Sequence, residues 1–159
     1  MAKILVVYDS VTGNTEKMAR YVAEGAMQIQ GIEVDTMKVD KVNYGDLEKY
    51  DGIIIGSPTY YGVMSGKIKS LIDESEKIHG KLEGKVGAAF TSSGGTASGA
   101  ETTLISIIEA LLIHGMIVRG RSDNSHYGAA AVGTPTKKEQ MNCQDLGRKT
   151  AELVKKINK

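Results

Sequence analysis

Apolar residues recur along this chain in two alternating rhythms. Lys3 to Tyr8 is a nearly unbroken apolar run, and Asp51 to Gly56 repeats it through Ile53, Ile54 and Ile55. Runs of this kind are expected of strands buried on both faces of a parallel sheet. Ile32 to Val39 alternates apolar with Glu, Asp and Lys, which predicts a wetter edge strand. Val86 to Thr91 and Met116 to Arg121 complete a set of five. Between them, apolar positions return at helical spacing. Met18, Ala19, Val22, Ala26 and Ile29 predict a first helix with Gly31 at its C′ position. Asn43 to Lys49 reads as a short helical turn, and a helix from about Lys67 to Lys77 buries Ile68, Leu71 and Ile72. Ser98 and Glu101 have capping-box spacing ahead of a helix that Gly115 stops. Thr136 and Glu139 repeat that spacing before a last helix, which turns Cys143, Leu146, Thr150, Leu153, Val154 and Ile157 inward.

Five strands alternating with five helices predict one α/β domain over residues 1–159, a parallel sheet covered on both faces. In such sheets ligands bind beyond the carboxyl ends of the strands. Here those ends lead into Ser10 to Thr15, Ser57 to Ser65, Thr91 to Gly99 and Ser122 to Gly128, all rich in Gly, Ser, Thr or Tyr. Six of the 19 glycines fall in these four segments, where a ligand is expected.

Ser10-Val11-Thr12-Gly13-Asn14-Thr15 brings hydroxyls, an amide and successive N–H groups to a helix start, where the dipole favours an anion. The loop has no Lys or Arg and no G-x-G-x-x-G follows the first strand, which disfavours a nucleoside triphosphate or a dinucleotide. A phosphate monoester fits, although Thr12 and Asn14 would also serve simply as helix caps. Ser57-Pro58-Thr59-Tyr60-Tyr61-Gly62 offers ring faces in a loop without charge, the surface a flat aromatic would stack on.

Taken together, Thr12-Gly13-Asn14-Thr15, the Pro58 to Gly62 loop and Ser92-Ser93-Gly94-Gly95 resemble the flavodoxin superfamily. Met64-Ser65-Gly66-Lys67, Glu101-Thr102-Thr103 and His114-Gly115-Met116 resemble more closely its WrbA-type NAD(P)H:quinone oxidoreductases. The resemblance implies a flavodoxin-like three-layer sandwich with sheet order 2-1-3-4-5 and FMN at the switch point. It implies that Ser10, Thr12, Gly13, Asn14 and Thr15 hold the phosphate. Pro58, Thr59, Tyr60, Tyr61 and Gly62 would hold the flavin ring, with Tyr61 stacking and the Gly62 peptide able to turn a carbonyl toward the ring. Ser92, Ser93, Gly94 and Gly95 would complete the site, and Tyr127 would cover the cofactor from the other side. His114 has two readings: a helix-end imidazole favoured by the dipole, or, as the resemblance implies, a catalytic group near the flavin and a subunit boundary. The chain departs from the quinone-reductase pattern where Ile78-His79-Gly80 stands in place of an aromatic, and it lacks the long insertions of those enzymes.

Composition narrows the function classes. Lys+Arg of 20 against Asp+Glu of 19 gives a formal charge of +1, without the basic excess that nucleic-acid binding uses. No apolar run approaches the ~20 residues of a membrane helix. The amino terminus reaches Asp9 too soon for a signal peptide, and Cys143 is the lone cysteine, which together suggest a cytoplasmic protein with no metal site. Across Ser57 to Ser65, Thr91 to Gly99 and Ser122 to Gly128, the one carboxylate is Asp123. The expected function is that of an FMN-binding electron carrier serving a redox partner protein. An oxidoreductase passing hydride from a nicotinamide to a small quinone is the alternative, and a flavin-free signalling domain on the same architecture is a third. The wide apolar face Leu104, Ile105, Ile107, Ile108, Leu111, Leu112 and Ile113 suggests a homodimer.

Overall fold

In a computed structural model that describes residues 1–159, the apolar runs become the middle of one sheet. Strand β1 (Ala2–Tyr8) leads into helix α1 (Asn14–Met27), then β2 (Ile32–Lys38). Two 3₁₀ turns, Val39–Lys41 and Tyr44–Lys49, replace a full second crossover helix. Strand β3 (Gly52–Pro58), helix α2 (Gly66–Glu74) with a 3₁₀ extension to Ile78, and β4 (Val86–Ser93) follow. Helix α3 (Ala100–Ile113), β5 (Ile117–Val118), β6 (Ala129–Val132) and α4 (Lys137–Ile157) complete the chain.

The strands are parallel in the order β2-β1-β3-β4-β5, as expected of a flavodoxin-like sheet. Every residue of β3 and β4 is buried, whereas β2 at the edge is not. Along β1, Leu5 and Val7 face one core with Ile53, Ile55, Ile68 and Ile107, while Ile4 and Val6 face the other with Met18, Val22, Phe90 and Val154. The strand period of two thus supplies both halves of a three-layer sandwich. No helix is long and apolar enough to cross a membrane.

The fifth strand departs from expectation. Only Ile117 and Val118 pair with Val86 and Gly87; the chain leaves the sheet at Arg119, and β6 then returns to pair with Phe90 through Ser93. Part of the segment expected to be loop is therefore strand. The cause is Arg121, whose side chain is 3% exposed and donates to the Asn142 carbonyl and to Asp145 at 2.8 Å, drawing the excursion onto α4. Asp145 also takes Lys149 at 3.1 Å, and Asp123 lies 3.6 Å from both Arg121 and Lys149.

Three smaller expectations change. The α1 helix ends at Met27, so Gly31 turns the chain into β2 rather than capping the helix. Helix α3 begins at Gly99 without a side-chain cap, because Ser98 donates instead to the Gly95 carbonyl. Ile157 is exposed. The Thr136–Glu139 capping box forms as expected. On α3, Leu104, Ile107 and Leu111 are consumed by the sheet, leaving Leu112 and Ile113 as the exposed end of the face expected to pair two copies.

Helices α1 and α4 lie backbone to backbone. A Cβ on Gly25 would sit 1.8 Å from the Gln144 carbonyl oxygen, and one on Gly147 would sit 1.9 Å from that of Val22. Only glycine permits this approach, which fixes where α1 points. Gly147→Ala should therefore destabilise despite the ~1 kcal/mol that alanine gains in helix propensity. Pushing the helices apart costs about 3 kcal/mol net, or roughly 10 °C in Tm. Gly45→Ala, with open space around it, should leave the melting curve in place; equal melting of both variants would contradict this packing.

Candidate functional site

The ends of β1, β3, β4 and β6 meet at one cleft of about 250 Å³. Its walls are Val11, Thr12, Asn14 and Thr15 from the first loop, Pro58, Thr59 and Tyr60 from the second, Ser92, Ser93 and Gly94 from the third, and Gly133 after β6. Larger hollows of about 560 Å³ between Gln28 and Arg121–Lys149, and about 510 Å³ beside His79 and His114, lie elsewhere. The first is walled by ion-paired side chains. Donors, hydroxyls and an aromatic converge only on the smaller cleft.

Helix α1 opens on Gly13 with φ +94°, a conformation that glycine adopts without strain. No side chain caps it; Ser10 Oγ accepts the N–H of Gly13 itself at 3.2 Å. The first internal bond is Lys17 N–H to the Gly13 carbonyl, so the N–H groups of Asn14, Thr15 and Glu16 point forward without a protein acceptor. By contrast, α2 is capped by Ser65 and α4 by Thr136. The second uncapped start is that of α3, on Gly99 at φ +104° in the loop after β4. Thr12 and Asn14 side chains bind nothing within the chain, which makes simple capping an insufficient account of them.

The cleft floor is ordered by its own hydroxyls. Thr15 Oγ1 and Ser92 Oγ lie 2.7 Å apart and buried. Thr59 N–H donates to the Ser92 carbonyl at 2.7 Å, and Thr91 Oγ1 to that of Ser57 at 2.7 Å. Ser93 Oγ donates to the Gly95 carbonyl at 3.1 Å, while its own carbonyl accepts Gly133 N–H at 2.8 Å.

Above this floor, Tyr60 and Val63 exchange backbone hydrogen bonds of 3.1 Å around Tyr61 and Gly62, both at positive φ, +49° and +79°. That is a type I′ turn, which holds Tyr61 at the tip with its side chain fully exposed. A tyrosine in the left-handed region is strained by ~1 kcal/mol or more and persists where the surroundings impose it. The surroundings here include Gly99, where a Cβ would meet Gly62 Cα at 2.5 Å, so the second and third loops touch through two glycines. Flipping the Tyr61–Gly62 peptide within this turn would send Tyr61 into a region open essentially to glycine alone. Val11, Gly99 and Gly133 were not among the expected site residues. Gly99 and Gly133, at positive φ, are signalled in sequence only as glycines near strand ends.

Two expected residues are not brought to the cleft. Tyr127 precedes Gly128, which packs on Ala89, so it stands at the entrance of β6 beside Phe90, while the cleft is at the exit beside Ser93. His114 lies beyond the C-terminal end of α3, about 20 Å of helix from the Gly99 end. Within one chain it contacts Ser75 instead. Ser75 Oγ donates to the Ile72 carbonyl at 2.6 Å, so His114 Nε2–H donates to Ser75 at 2.7 Å and Nδ1 is left as a buried acceptor without a partner. This tautomer is assigned from the hydrogen-bond pattern. Burial of the Cys143 thiol pushes its pKa up to about 12, which makes it a core residue.

A strand-end cleft with an uncapped helix start places the chain among α/β proteins whose ligand site lies at the switch point of a parallel sheet. The family model described as Flavodoxin matches residues 6–111. The chain is 41% identical to a flavodoxin of Aquifex aeolicus, covering 97% of this chain and 88% of that one. It is 37% identical to an NAD(P)H dehydrogenase (quinone) of Archaeoglobus fulgidus, covering 99% and 100%. Among solved structures, a flavodoxin, WrbA-like protein from Agrobacterium tumefaciens superposes with TM-score 0.84 at 26% identity over 98% of this chain and 99% of that one. The chain belongs to the flavodoxin family, whose members bind a flavin.

Burial first, and the neighbouring His79 second, hold His114 below its ordinary pKa. In the unfolded chain the ring titrates near ~6.5. As pH falls below that value the unfolded state takes up a proton that the folded state resists, so stability is full above about pH 7 and declines toward pH 5. His114→Gln should flatten that decline in urea-unfolding midpoints measured across this range. An unchanged pH slope would show that His114 titrates freely in the fold.

Proposed function

We propose that this chain is a cytoplasmic electron carrier that holds FMN without a covalent bond. The observation that carries the reading is the uncapped start of α1. Three N–H groups at that start have no acceptor in the chain, and the Thr12 and Asn14 side chains line the same cleft, whose walls hold no cation. A doubly ionised phosphate satisfies all of them together with the helix dipole. Ser10, Thr12, Gly13, Asn14 and Thr15 hold the phosphate in this reading. Pro58, Thr59, Tyr60, Tyr61 and Gly62 flank the ring, and Ser92 through Gly95 face its polar edge. The bound flavin would supply one- and two-electron redox chemistry. A cleft of about 250 Å³ takes the headgroup and sugar and leaves the ring against Tyr61 at the rim, where a partner can reach its edge.

A second reading is an NAD(P)H:quinone oxidoreductase, favoured by the extent of the match to the Archaeoglobus fulgidus relative. The cleft lining contains no Lys or Arg to clamp a dinucleotide's phosphates, which favours the carrier. Turnover of NADH or NADPH with benzoquinone by the flavin-loaded protein decides between them; sustained turnover establishes the enzyme.

Calorimetry with FMN and riboflavin tests the phosphate seat. FMN should bind at least about 100-fold tighter, since two charge-assisted hydrogen bonds are worth roughly 3 kcal/mol or more. Equal affinities would refute the assignment. Tyr61→Asn separates ring stacking from folding. Asparagine tolerates positive φ, so the flavin-free protein should melt no lower than the parent, while FMN affinity falls about tenfold, ~1.4 kcal/mol. A variant that binds FMN as tightly as the parent would remove Tyr61 from the site.

A further inference from the structure

The mouth of the cleft carries exposed apolar side chains from three segments: Val11 (77% exposed), Tyr61 with Val63 (49%), and Val132 (54%). Around them stand Lys17 in the first turn of α1, Lys41 after β2, and Lys137 with Lys138 at the start of α4. All four are exposed, and none has a carboxylate within ion-pair distance. The carboxylates at this end are engaged or hidden. Asp40 is paired with Lys67 at 2.9 Å, Glu16 with Arg20 at 2.7 Å, Glu139 is bound in the Thr136 capping box, and Asp9 is 4% exposed. Glu101 is the one exposed carboxylate there without a partner.

We propose that this end of the molecule docks a partner protein whose own redox centre is ringed by carboxylates. The proposal rests on the carrier reading given above. An apolar centre inside a charged, solvated rim is the anatomy of a protein–protein interface, and exchange of electrons suits a small, transient one. Unpaired lysines on the rim steer an acidic partner from a distance, raising its association rate more than its affinity. A phosphorylated small molecule fits the same charges less well. Lys17, Lys137 and Lys138 lie on the α1/α4 face of the sheet and Lys41 on the α2 face, so no single phosphate reaches them all, whereas a broad surface does.

The test uses FMN-loaded protein, chemically reduced and mixed in a stopped-flow cell with rubredoxin as an acidic acceptor and cytochrome c as a basic one. In each encounter one electron leaves the reduced flavin and one ferric iron becomes ferrous; the proton that the flavin gives up on returning to its oxidised form goes to solvent. Rubredoxin reduction should slow as salt rises from about 10 mM to 300 mM. Cytochrome c reduction should hold or rise over the same range. The Lys137→Glu/Lys138→Glu double variant should cut the low-salt rubredoxin rate about tenfold while FMN affinity is retained. A preference for cytochrome c, a rate indifferent to salt, or a double variant that changes only the KM for NADPH would overturn the proposal. Calorimetry of the flavin-free chain with oxidised rubredoxin at about 10 mM salt tests the surface independently. Weak binding that salt abolishes supports the proposal and no binding refutes it, so failure of this surface is distinguishable from failure to bind FMN.

Discussion

The site depends on a helix that begins without a cap. Three consecutive N–H groups at the start of α1 have no acceptor inside the chain, and a glycine there in place of a capping side chain costs roughly a few tenths of a kcal/mol. The rest of the fold is what makes that tolerable. Strand β1 is pinned between β2 and β3, and the glycine contact with α4 fixes the axis of α1, so the exposed donors keep one direction. A side chain at position 13 able to cap would fill the seat it now leaves open. The same logic extends to the loop after β4, where Gly99 starts α3 uncapped and its missing Cβ lets the Tyr61–Gly62 turn sit directly on it. The uncapped starts and the strained tyrosine thus belong to one constraint: local stability is withheld where three loops must receive something else.

How much of this was legible in the sequence follows from the range of the forces involved. β1 and β3 were legible because a strand buried on both faces leaves an unbroken apolar run, a purely local mark, and the chain order of strands and short crossovers did the rest. Thr12, Asn14 and Thr15, the Pro58 to Tyr60 segment and Ser92 through Gly94 were legible because their composition exceeds what turns require, and the structure gathers them. The split of the fifth strand was not. Ala129 to Ala131 has no strand signature of its own, and the break is caused by a buried Arg121 meeting Asp145, 24 residues away. Ser98 lost its capping role to the Gly95 carbonyl for a similar reason, since tight loops offer a small hydroxyl nearer acceptors. His114 and Tyr127 carry chemistry that sequence can name, but which end of a helix or strand they occupy is decided by the path of the chain.

The relatives divide between carriers and quinone-reducing dehydrogenases, and the cleft floor does not separate them. The proposed phosphate seat and stacking tyrosine would serve either activity. The division lies in the surroundings. The Archaeoglobus fulgidus alignment runs over 191 positions where this chain has 159 residues, so that relative carries stretches absent here. In this chain the cleft stays shallow, Tyr61 is fully exposed and no cationic group lines the walls. A hydride donor must be held face to face with a ring and its phosphates neutralised, which needs enclosure. An electron needs only close approach of an edge, so an open rim favours the carrier.

That open rim also bears on the strain at Tyr61, one of three non-glycine residues at positive φ, with Ala97 and Ser125. A ring held at the tip of a hairpin turn can contact a flat ligand only if the turn keeps its shape when nothing is bound. The reciprocal Tyr60–Val63 hydrogen bonds and the seat on Gly99 provide that rigidity. The left-handed backbone is the geometric consequence, because a two-residue turn matched to the twist of its flanking strands needs positive φ at both central positions. Asparagine or glycine at position 61 would form the same turn at lower conformational cost. Tyrosine instead places a large aromatic fully in solvent, where it gains nothing from burial. In the proposed reading a flat ligand covers it, and stacking against that ring would recover the hydrophobic area and the polar edge together.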